Sequence, residues 1–267
     1  MEIKRYFKPK SLEEAYEVLQ EQTNNHVIGG GAWIKSTLKS VETLIELQDL
    51  IGTEITETTS VVAIDAMCTL KQIEENPVMV QLLGGIIPKS ISGIMGVAVR
   101  NIATIGGTIV GKYAFSDLIT ALLAADATLV FYKNGRIRLS DYLLSEDRTR
   151  DILLKIELSK RVGTGYFHKV AKTSLDFAII SVAVTFVEGQ YRIIIGSRPG
   201  IAALALDAMN LLNRKKHIVA ADLDAASKLA SVELGFSSNF RGTEEYRRTL
   251  AEVYVKRGLL EVAHYAD

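Results

Sequence analysis

The chain has 267 residues, 48% of them hydrophobic, which is enough for a buried core shared by two or three subdomains. Its 31 basic and 31 acidic residues cancel, so nothing favours a nucleic-acid partner. The single cysteine, Cys68, excludes an internal disulfide and an iron–sulfur cluster held by this chain alone, and four scattered histidines show no metal-ligand spacing. The first residues lack a signal-peptide core and no apolar run reaches membrane length, so we expect a soluble cytoplasmic protein.

The N-terminal part alternates strand and helix patterns. Ser11 and Glu14 form a capping box, which predicts an amphipathic helix over 12–22. A short strand over 26–28 then runs into Gly29-Gly30-Gly31, where a strand end is the expected ligand edge of a small α/β unit. The remaining predicted elements are an initial strand ending at Pro9, a helical turn within 33–38 and a strand over 43–47.

The middle part is organised around 99–126, which places the pair Gly106-Gly107 in a turn and Ser116-Asp117 before an apolar helix. Asn134-Gly135 is a strong hairpin signal. The predicted elements are strands within 51–66, helices over 70–75, 78–83 and 118–125, and strands over 128–132, 136–139 and 152–158.

After about residue 160 the pattern changes to strands followed by helices, which is typical of an α+β domain. The predicted strands cover 165–170, 179–187 and 191–196, and the predicted helices cover 202–212, 220–231 and 244–260.

Two common nucleotide motifs are rejected. The Rossmann fingerprint needs a third glycine, but Ile34 stands there after Gly29 and Gly31. A P-loop needs a hydroxyl residue after Gly111-Lys112, but Tyr113 follows.

A third motif fits better. The run Arg100–Gly107 followed by Ser116-Asp117-Leu118 resembles the second FAD motif of the xanthine dehydrogenase family. Val27–Ile34 resembles the first FAD loop of that family, and Phe167–Lys172 with Asp176 resembles its third signature. The resemblance covers roughly residues 1–265 and is to the FAD-binding medium subunit of a molybdenum hydroxylase.

The resemblance implies an α+β fold of the PCMH type. A small α/β N-terminal FAD-binding subdomain would span 1–54 and a mixed-sheet middle subdomain 55–160. A C-terminal domain of three antiparallel strands and a helical bundle would span 161–267. FAD would be held non-covalently between the first two.

The resemblance also implies roles for individual residues. In the first loop, backbone N–H groups would bind the pyrophosphate, and a second cradle would follow from Thr104 onward. Asp117, beside Ser116, would accept hydrogen bonds from ribitol or ribose hydroxyls. Lys169 would bring positive charge to the pyrimidine end of the flavin. The implied cofactor-binding residues are Gly29, Gly30, Gly31, Ala32, Trp33, Ile34, Ala103, Thr104, Gly106, Gly107, Thr108, Gly111, Ser116, Asp117, Lys169, and Ile152 with Leu153 against the isoalloxazine.

No catalytic side chain and no metal ligand is predicted in this chain. The implied function is electron transfer: electrons from iron–sulfur clusters in a small partner subunit would reach FAD here and pass to NAD or another acceptor. The substrate would be oxidised at a molybdenum cofactor in a large partner subunit.

Alternatives remain open at this point. Ala32-Trp33, Thr108 and Lys112-Tyr113 depart from the family pattern, and the departures at Thr108 and Tyr113 leave open a degenerate FAD-domain scaffold. A stand-alone flavin reductase of the same broad fold is a further alternative. Taken alone, Gly29–Gly31 is equally typical of a flexible turn, and Ser116-Asp117 of an ordinary helix N-cap.

Overall fold

The computed structural model describes residues 2–34, 40–145 and 150–264. The chain forms two compact units, each built from several separate stretches, and each is described by itself. Unit 1 contains Met1–Ile73, Gly96–Gly111 and Ala127–Leu158, and unit 2 contains Glu74–Met95, Lys112–Asp126 and Ser159–Asp267. The division into 1–54, 55–160 and 161–267 stays a prediction.

Unit 1 holds two sheets. Its strands are β1 (Glu2–Phe7), β2 (His26–Ile28), β3 (Ser40–Glu46), β4 (Ile55–Glu57), β5 (Val61–Asp65), β6 (Thr128–Phe131), β7 (Gly135–Arg138) and β8 (Leu153–Ser159, whose last residue lies in unit 2). Its helices are α1 (Leu12–Glu21), α2 (Leu70–Glu75, whose last two residues lie in unit 2), α5 (Val97–Arg100), α6 (Ile105–Val110) and α8 (Leu139–Leu144).

The first sheet has the order β1-β3-β2, with parallel pairing throughout. Parallel strands need a crossover connection, and α1 connects β1 to β2, which lie on opposite sides of β3. This helix begins where expected, because the Ser11 side chain accepts a hydrogen bond from the Glu14 amide at 3.2 Å. It buries Ala15, Val18 and Leu19.

The second sheet has the order β4-β5-β8-β6-β7. The predicted Asn134-Gly135 hairpin is present: Phe131 of β6 pairs with Gly135, whose φ of 66° suits glycine. Ala66 and Cys68 lie between β5 and α2, and their carbonyls accept hydrogen bonds from the start of α6.

Unit 2 is built on one antiparallel sheet of order β12-β11-β10-β9. Its strands are β9 (Gly163–Val170), β10 (Ile180–Val187), β11 (Gln190–Gly196) and β12 (Ala203–Leu204). Its helices are α3 (Pro77–Gln81) with a 3-10 turn at Leu82–Gly85, α4 (Ile86–Ser92), α7 (Asp117–Ala124), α9 (Leu206–Asn213), α10 (Ala220–Glu233) and α11 (Glu244–His264).

Alternation along β10 gives this sheet two different faces. Ile180, Val182 and Val184 point into a hydrophobic core with α9, α10 and α11. The residues between them face α7 instead: Ser181 lies 3.1 Å from the Thr120 hydroxyl, and Thr185 donates to the Ala124 carbonyl at 2.9 Å. The polar face of the sheet is therefore the face that carries α7.

The predicted secondary structure differs from the structure at several places, of which the following bear on the site or on unit 2. The helix predicted over 202–212 is wrong at its start, because Ala203–Leu204 pairs with β11 and α9 begins only at Leu206. The pair Gly106-Gly107 lies in the first turns of α6 and not in a turn between elements. Helix α4 was also missed in the glycine-rich stretch 84–96.

The helical turn predicted within 33–38 falls mostly on residues 35–39, which lie outside the described residues. Within the described ranges, no helix has the length and apolar character needed to span a membrane.

Candidate cofactor-binding site

The first glycine loop of unit 1 packs directly on the segment before α6. A Cβ on Gly30 would lie 1.3 Å from the Ile102 carbonyl oxygen, and one on Gly29 would lie 2.5 Å from the Thr104 hydroxyl. Gly31 has a φ of 72°, which side-chain residues rarely adopt. Gly29 and Gly30 are therefore required first by the close packing of this loop on residues 102–104, a reason that sequence reasoning missed.

The same loop offers backbone donors. In the described part of the chain, the amides of Gly30, Gly31 and Ala32 have no hydrogen-bond partner. The loop from Gly29 to Ile34 is half-buried, so these amides are neither in the core nor fully solvated. Partnerless N–H groups on a glycine loop suit an anion such as a pyrophosphate.

The second predicted cradle is arranged differently. Thr104 caps α6 by accepting from the Gly107 amide at 3.2 Å, and its carbonyl accepts from the Thr108 amide at 3.1 Å. The amides of Ile105 and Gly106 donate to the carbonyls of Cys68 and Ala66, at 3.0 and 2.9 Å. The amides of Gly106, Gly107 and Thr108 thus each donate within the protein, and their role at the pyrophosphate stays a prediction.

Gly106 and Gly107, the two glycines of α6, differ in what a side chain would contact at each position. A Cβ on Gly106 would lie 2.7 Å from the Ala66 carbonyl oxygen, so this residue lets the helix approach the end of β5. Gly107 is exposed, and a Cβ there would meet only the Thr104 hydroxyl, at 3.1 Å. Gly107 is therefore the glycine of α6 with room for a ligand.

The other predicted residues around α6 are structural in this unit. Ala103 is 3% exposed and its carbonyl accepts from Leu70 at 2.8 Å. The Thr108 hydroxyl donates back to the Thr104 carbonyl at 2.9 Å, and Gly111 is the exposed C-cap.

Ile152 and Leu153 do not offer a surface for a ring. Their exposed fractions are 1% and 5%, and they lie at the start of β8 within the second sheet. Nearly all of their side-chain surface is covered by protein, and their contact with the isoalloxazine stays a prediction.

In unit 2, the adjacent residues Ser116 and Asp117 have different roles. Ser116 is the N-cap of α7 and accepts from the Ile119 amide at 3.2 Å, so the capping interpretation is correct for this residue. Asp117 is not a cap. Its carboxylate is 4% exposed, and its Oδ1 atom is buried with no hydrogen-bond partner among the described residues.

Lys169 is the counter-ion of Asp117. The Lys169 Nζ atom lies 3.3 Å from Asp117 Oδ2 and donates to the Gly93 carbonyl at 2.7 Å. Burial raises the pKa of the Asp117 carboxyl to about 6, while the charge of Lys169 acts in the opposite direction. The two residues were both predicted, but as contacts to different parts of the cofactor and not as an ion pair.

Two residues of this region were missed by sequence reasoning. Ser181 is fully buried opposite Lys169 in the β9–β10 ladder, and its hydroxyl lowers the pKa of Asp117. Gly93 contributes only a carbonyl. Neither belongs to a recognisable motif: Ser181 lies beside Lys169 through the strand register, and Gly93 is the C-cap of α4, whose carbonyl accepts from Lys169.

The departure at Lys112-Tyr113 has a packing role. Lys112 has a φ of 46°, and this turn lets Tyr113 stack on Phe115 with ring centroids 5.2 Å apart. Phe115 in turn contacts Phe177 at 4.5 Å. The ring of Tyr113 is thus packed within unit 2, immediately before Ser116-Asp117.

The described residues fit FAD in two respects. The first loop supplies amides without partners, as a pyrophosphate needs, and Asp117 supplies a buried acceptor without a donor, as a sugar hydroxyl needs. Among the described residues, no group of three or more His, Cys, Asp or Glu could hold a metal ion.

Comparison with known families accounts for nearly the whole chain. Residues 1–160 match the family described as "FAD binding domain in molybdopterin dehydrogenase". Residues 165–262 match the family described as "CO dehydrogenase flavoprotein C-terminal domain".

Individual relatives are similar over their full length. The chain is 24% identical to the nicotine 6-hydroxylase medium subunit of Paenarthrobacter nicotinovorans, covering 96% of each chain. It is 25% identical to the glyceraldehyde dehydrogenase medium chain of Sulfolobus acidocaldarius, over 97% of this chain and 98% of the other.

Solved structures show the same fold. In the crystal structure of quinoline 2-oxidoreductase from Pseudomonas putida 86, one chain matches with a TM-score of 0.84 at 23% identity, over 98% of this chain and 97% of that one. A chain of carbon monoxide dehydrogenase from Hydrogenophaga pseudoflava matches with a TM-score of 0.85 at 23% identity, over 97% of each chain. The predicted α+β fold class is confirmed, and the chain belongs to the molybdopterin dehydrogenase family as an FAD-binding medium subunit of an oxidoreductase.

Proposed function

We propose that this chain binds one FAD, receives electrons from iron–sulfur clusters of a partner subunit and passes them to NAD or another acceptor. The observation that carries the proposal is the buried Asp117 Oδ1 atom, which has no donor among the described residues. A buried carboxylate oxygen without a donor is costly unless a ligand supplies one.

Different residues would bind different chemical groups of FAD. The amides of Gly30, Gly31 and Ala32 would hold the pyrophosphate, and Gly107 would leave space beside it. Asp117 would accept hydrogen bonds from sugar hydroxyls through Oδ1, because Oδ2 faces Lys169 and Oδ1 has no donor among the described residues. FAD, when bound, supplies a two-electron carrier that can also exchange single electrons with metal clusters.

Lys169 would act on the cofactor through Asp117. Its Nζ atom is already engaged by the Asp117 carboxylate and the Gly93 carbonyl. Its main contribution is therefore to keep Asp117 charged and so a strong acceptor, in addition to the positive charge predicted near the flavin.

The proposed partners follow from what this chain contains. Its single cysteine is buried, and burial raises the pKa of the Cys68 thiol to about 11, so it is unsuited to ligate a cluster. Two relatives are named medium subunit or medium chain. We therefore propose a large partner with the molybdenum cofactor and a small partner with iron–sulfur clusters.

The test is flavin content followed by reoxidation. The purified full-length chain should carry close to one FAD, and the bound flavin, reduced without oxygen, should regain its oxidised absorbance on mixing with NAD⁺. If FAD binds but the reduced flavin is reoxidised only by another carrier, that carrier and not NAD is the acceptor. Protein that neither contains nor takes up FAD would overturn the proposal and favour a scaffold.

A further inference from the structure

We infer that Arg150 is a positioning residue of the cofactor site: it holds the turn between α1 and β2 against the start of β8 and thereby sets where the first glycine loop lies. The inference rests on the proposed binding of the FAD pyrophosphate by that loop. No motif marks Arg150 in the sequence. All the contacts that carry the inference lie within unit 1.

Arg150 contacts the turn through both its side chain and its backbone. Its two Nη atoms donate to the carbonyls of Gln22 and Asn25, one to each. In return, the Gln20 side chain donates to the Arg150 carbonyl at 2.6 Å. Gln20 lies in the last turn of α1, and β2 begins directly after Asn25, so these hydrogen bonds span the whole connection.

The charge of Arg150 suits the place where it lies. Gln22 is the C-cap of α1, the end at which a helix carries partial negative charge, and the last turn of α1 contains no basic residue of its own. The guanidinium is half-buried, and its planar fork of donors contacts two carbonyls at once. Arg150 therefore stabilises the end of α1 from the segment that enters the second sheet.

Asn25 connects the same turn to the first sheet. This residue is 1% exposed. Its Nδ2 atom donates to the Val18 carbonyl at 2.6 Å, and its Oδ1 atom accepts from the Thr43 amide at 3.0 Å. These bonds join the turn to α1 and β3, and Arg150 adds the connection to the second sheet.

The short strand β2 links the turn to the glycine loop. It has only three residues and, in the described sheet, pairs with β3 alone. Gly29 follows it directly, four positions after Asn25. Since so short an edge strand makes few hydrogen bonds of its own, contacts at its two ends decide where the loop lies. These are the contacts of Arg150 at the turn and the packing of Gly30 on Ile102.

The start of β8 is itself well anchored. Asp151, the residue after Arg150, accepts from three backbone amides, those of Lys133, Asn134 and Ile152 at 3.1, 2.9 and 2.7 Å. Lys133 also lies 3.0 Å from Glu13 of α1, but both side chains are exposed, and such ion pairs contribute little. The hydrogen bonds of the half-buried Arg150 are screened less by water, so they hold the turn more firmly.

The matched variants are Arg150→Met and Arg198→Met. Arg198, in unit 2, is also half-buried, and its two Nη atoms likewise donate to backbone carbonyls, those of Gly235 and Ile201, at 2.7 and 2.9 Å. Both substitutions keep an apolar stem and leave two carbonyls without their donor, so they should lower stability similarly. Only Arg150→Met should act on the glycine loop.

Two measurements on the full chain report the effect. Hydrogen exchange of the β2 amides in the ligand-free protein should become about tenfold faster in Arg150→Met, because two hydrogen bonds before the strand are lost. FAD affinity should fall by about three- to tenfold in the same variant. Arg150→Lys should recover part of both, since it keeps the charge but not the fork, and Arg198→Met should leave both close to wild-type values.

Two results would overturn the inference in distinguishable ways. If β2 exchanges no faster in Arg150→Met than in Arg198→Met, Arg150 contributes to stability but does not position the turn. If β2 exchanges faster in Arg150→Met but FAD affinity is unchanged, the glycine loop does not bind the pyrophosphate. The proposed role of the loop then fails, and the role of Arg150 in the cofactor site fails with it.

Discussion

The glycine loop of unit 1 and the Asp117–Lys169 pair of unit 2 are stabilised by different interactions. The loop works by shape: Gly29 and Gly30 fit where a Cβ would overlap Thr104 or Ile102, and the donors are backbone amides. The pair works by charge: two side chains, 4% and 11% exposed, compensate each other in a buried setting. The shape-based region tolerates no added atoms, whereas the charge-based region depends on pH.

The largest effect is expected where shape is tightest. Gly30→Ala should destabilise the protein by more than about 3 kcal/mol, because its Cβ would lie 1.3 Å from the Ile102 carbonyl oxygen. Urea unfolding measures the change. Gly96→Ala is the control, since no atom lies within 4 Å of its added Cβ, and it should change stability by less than about 0.5 kcal/mol. Equal stability of the two variants would contradict the packing of the loop on Ile102.

The charged region should respond to loss of its cation. Lys169→Met should cost about 2–3 kcal/mol at neutral pH, because Asp117 is left buried without its counter-ion. Burial already raises the pKa of Asp117, and removing Lys169 raises it further. The cost should therefore shrink as pH falls and the carboxyl protonates.

Denaturant unfolding at neutral and at acidic pH tests this sign. Lys172→Met is the matched control, since among the described residues its exposed side chain makes one hydrogen bond, to the Phe240 carbonyl at 3.3 Å. A cost for Lys169→Met that grows in acid would show that Lys169 does not compensate Asp117.

A smaller effect on stability, with a larger one on the ligand, is expected at Gly107. Gly107→Val should fold, because the added Cβ meets only the Thr104 hydroxyl. It should lose at least about tenfold in FAD affinity if the pyrophosphate approaches this exposed position. Flavin content of the purified variant reports the effect, with Gly96→Val as the control. A wild-type flavin content in Gly107→Val would show that α6 is not part of the FAD site.

The smallest effect, a lack of chemical modification in the native protein, is expected at Cys68, which lies outside both regions. Its thiol is buried, its pKa is raised to about 11, and its carbonyl anchors the Ile105 amide at 3.0 Å. A thiol-alkylating reagent at neutral pH should leave the native protein unmodified and react after unfolding. Rapid modification of the native protein would show that the start of α6 opens.

The sequence predicted most long elements because their patterns are local. The alternation in 179–187 and the capping box at Ser11 correspond to β10 and α1. The short helices α4 and α6 were missed because Gly84-Gly85 and Gly106-Gly107 suggest turns. In α6 the glycine instead lets the helix pack on Ala66, a contact that depends on tertiary structure.

The sequence suggests candidate site residues, which stay predictions, but it does not reveal the contacts among them. Asp117 and Lys169 were both identified, yet their ion pair depends on how α7 lies over β9. Ser181 was not identified, because a serine in an apolar strand carries no signal of its own. The donors of α6 were assigned to a ligand because the sequence does not reveal that Cys68 and Ala66 accept from them.

The most direct test of the account is the pH dependence of FAD affinity in the full chain, with and without the Asp117 carboxylate. FAD hydroxyls that donate to Asp117 favour its charged form, so wild-type affinity should rise as pH increases through about 6 and then level off. Asp117→Asn should bind FAD about ten- to a hundredfold more weakly at neutral pH, with no such rise. Identical curves for the two proteins would contradict the placement of the cofactor at Asp117.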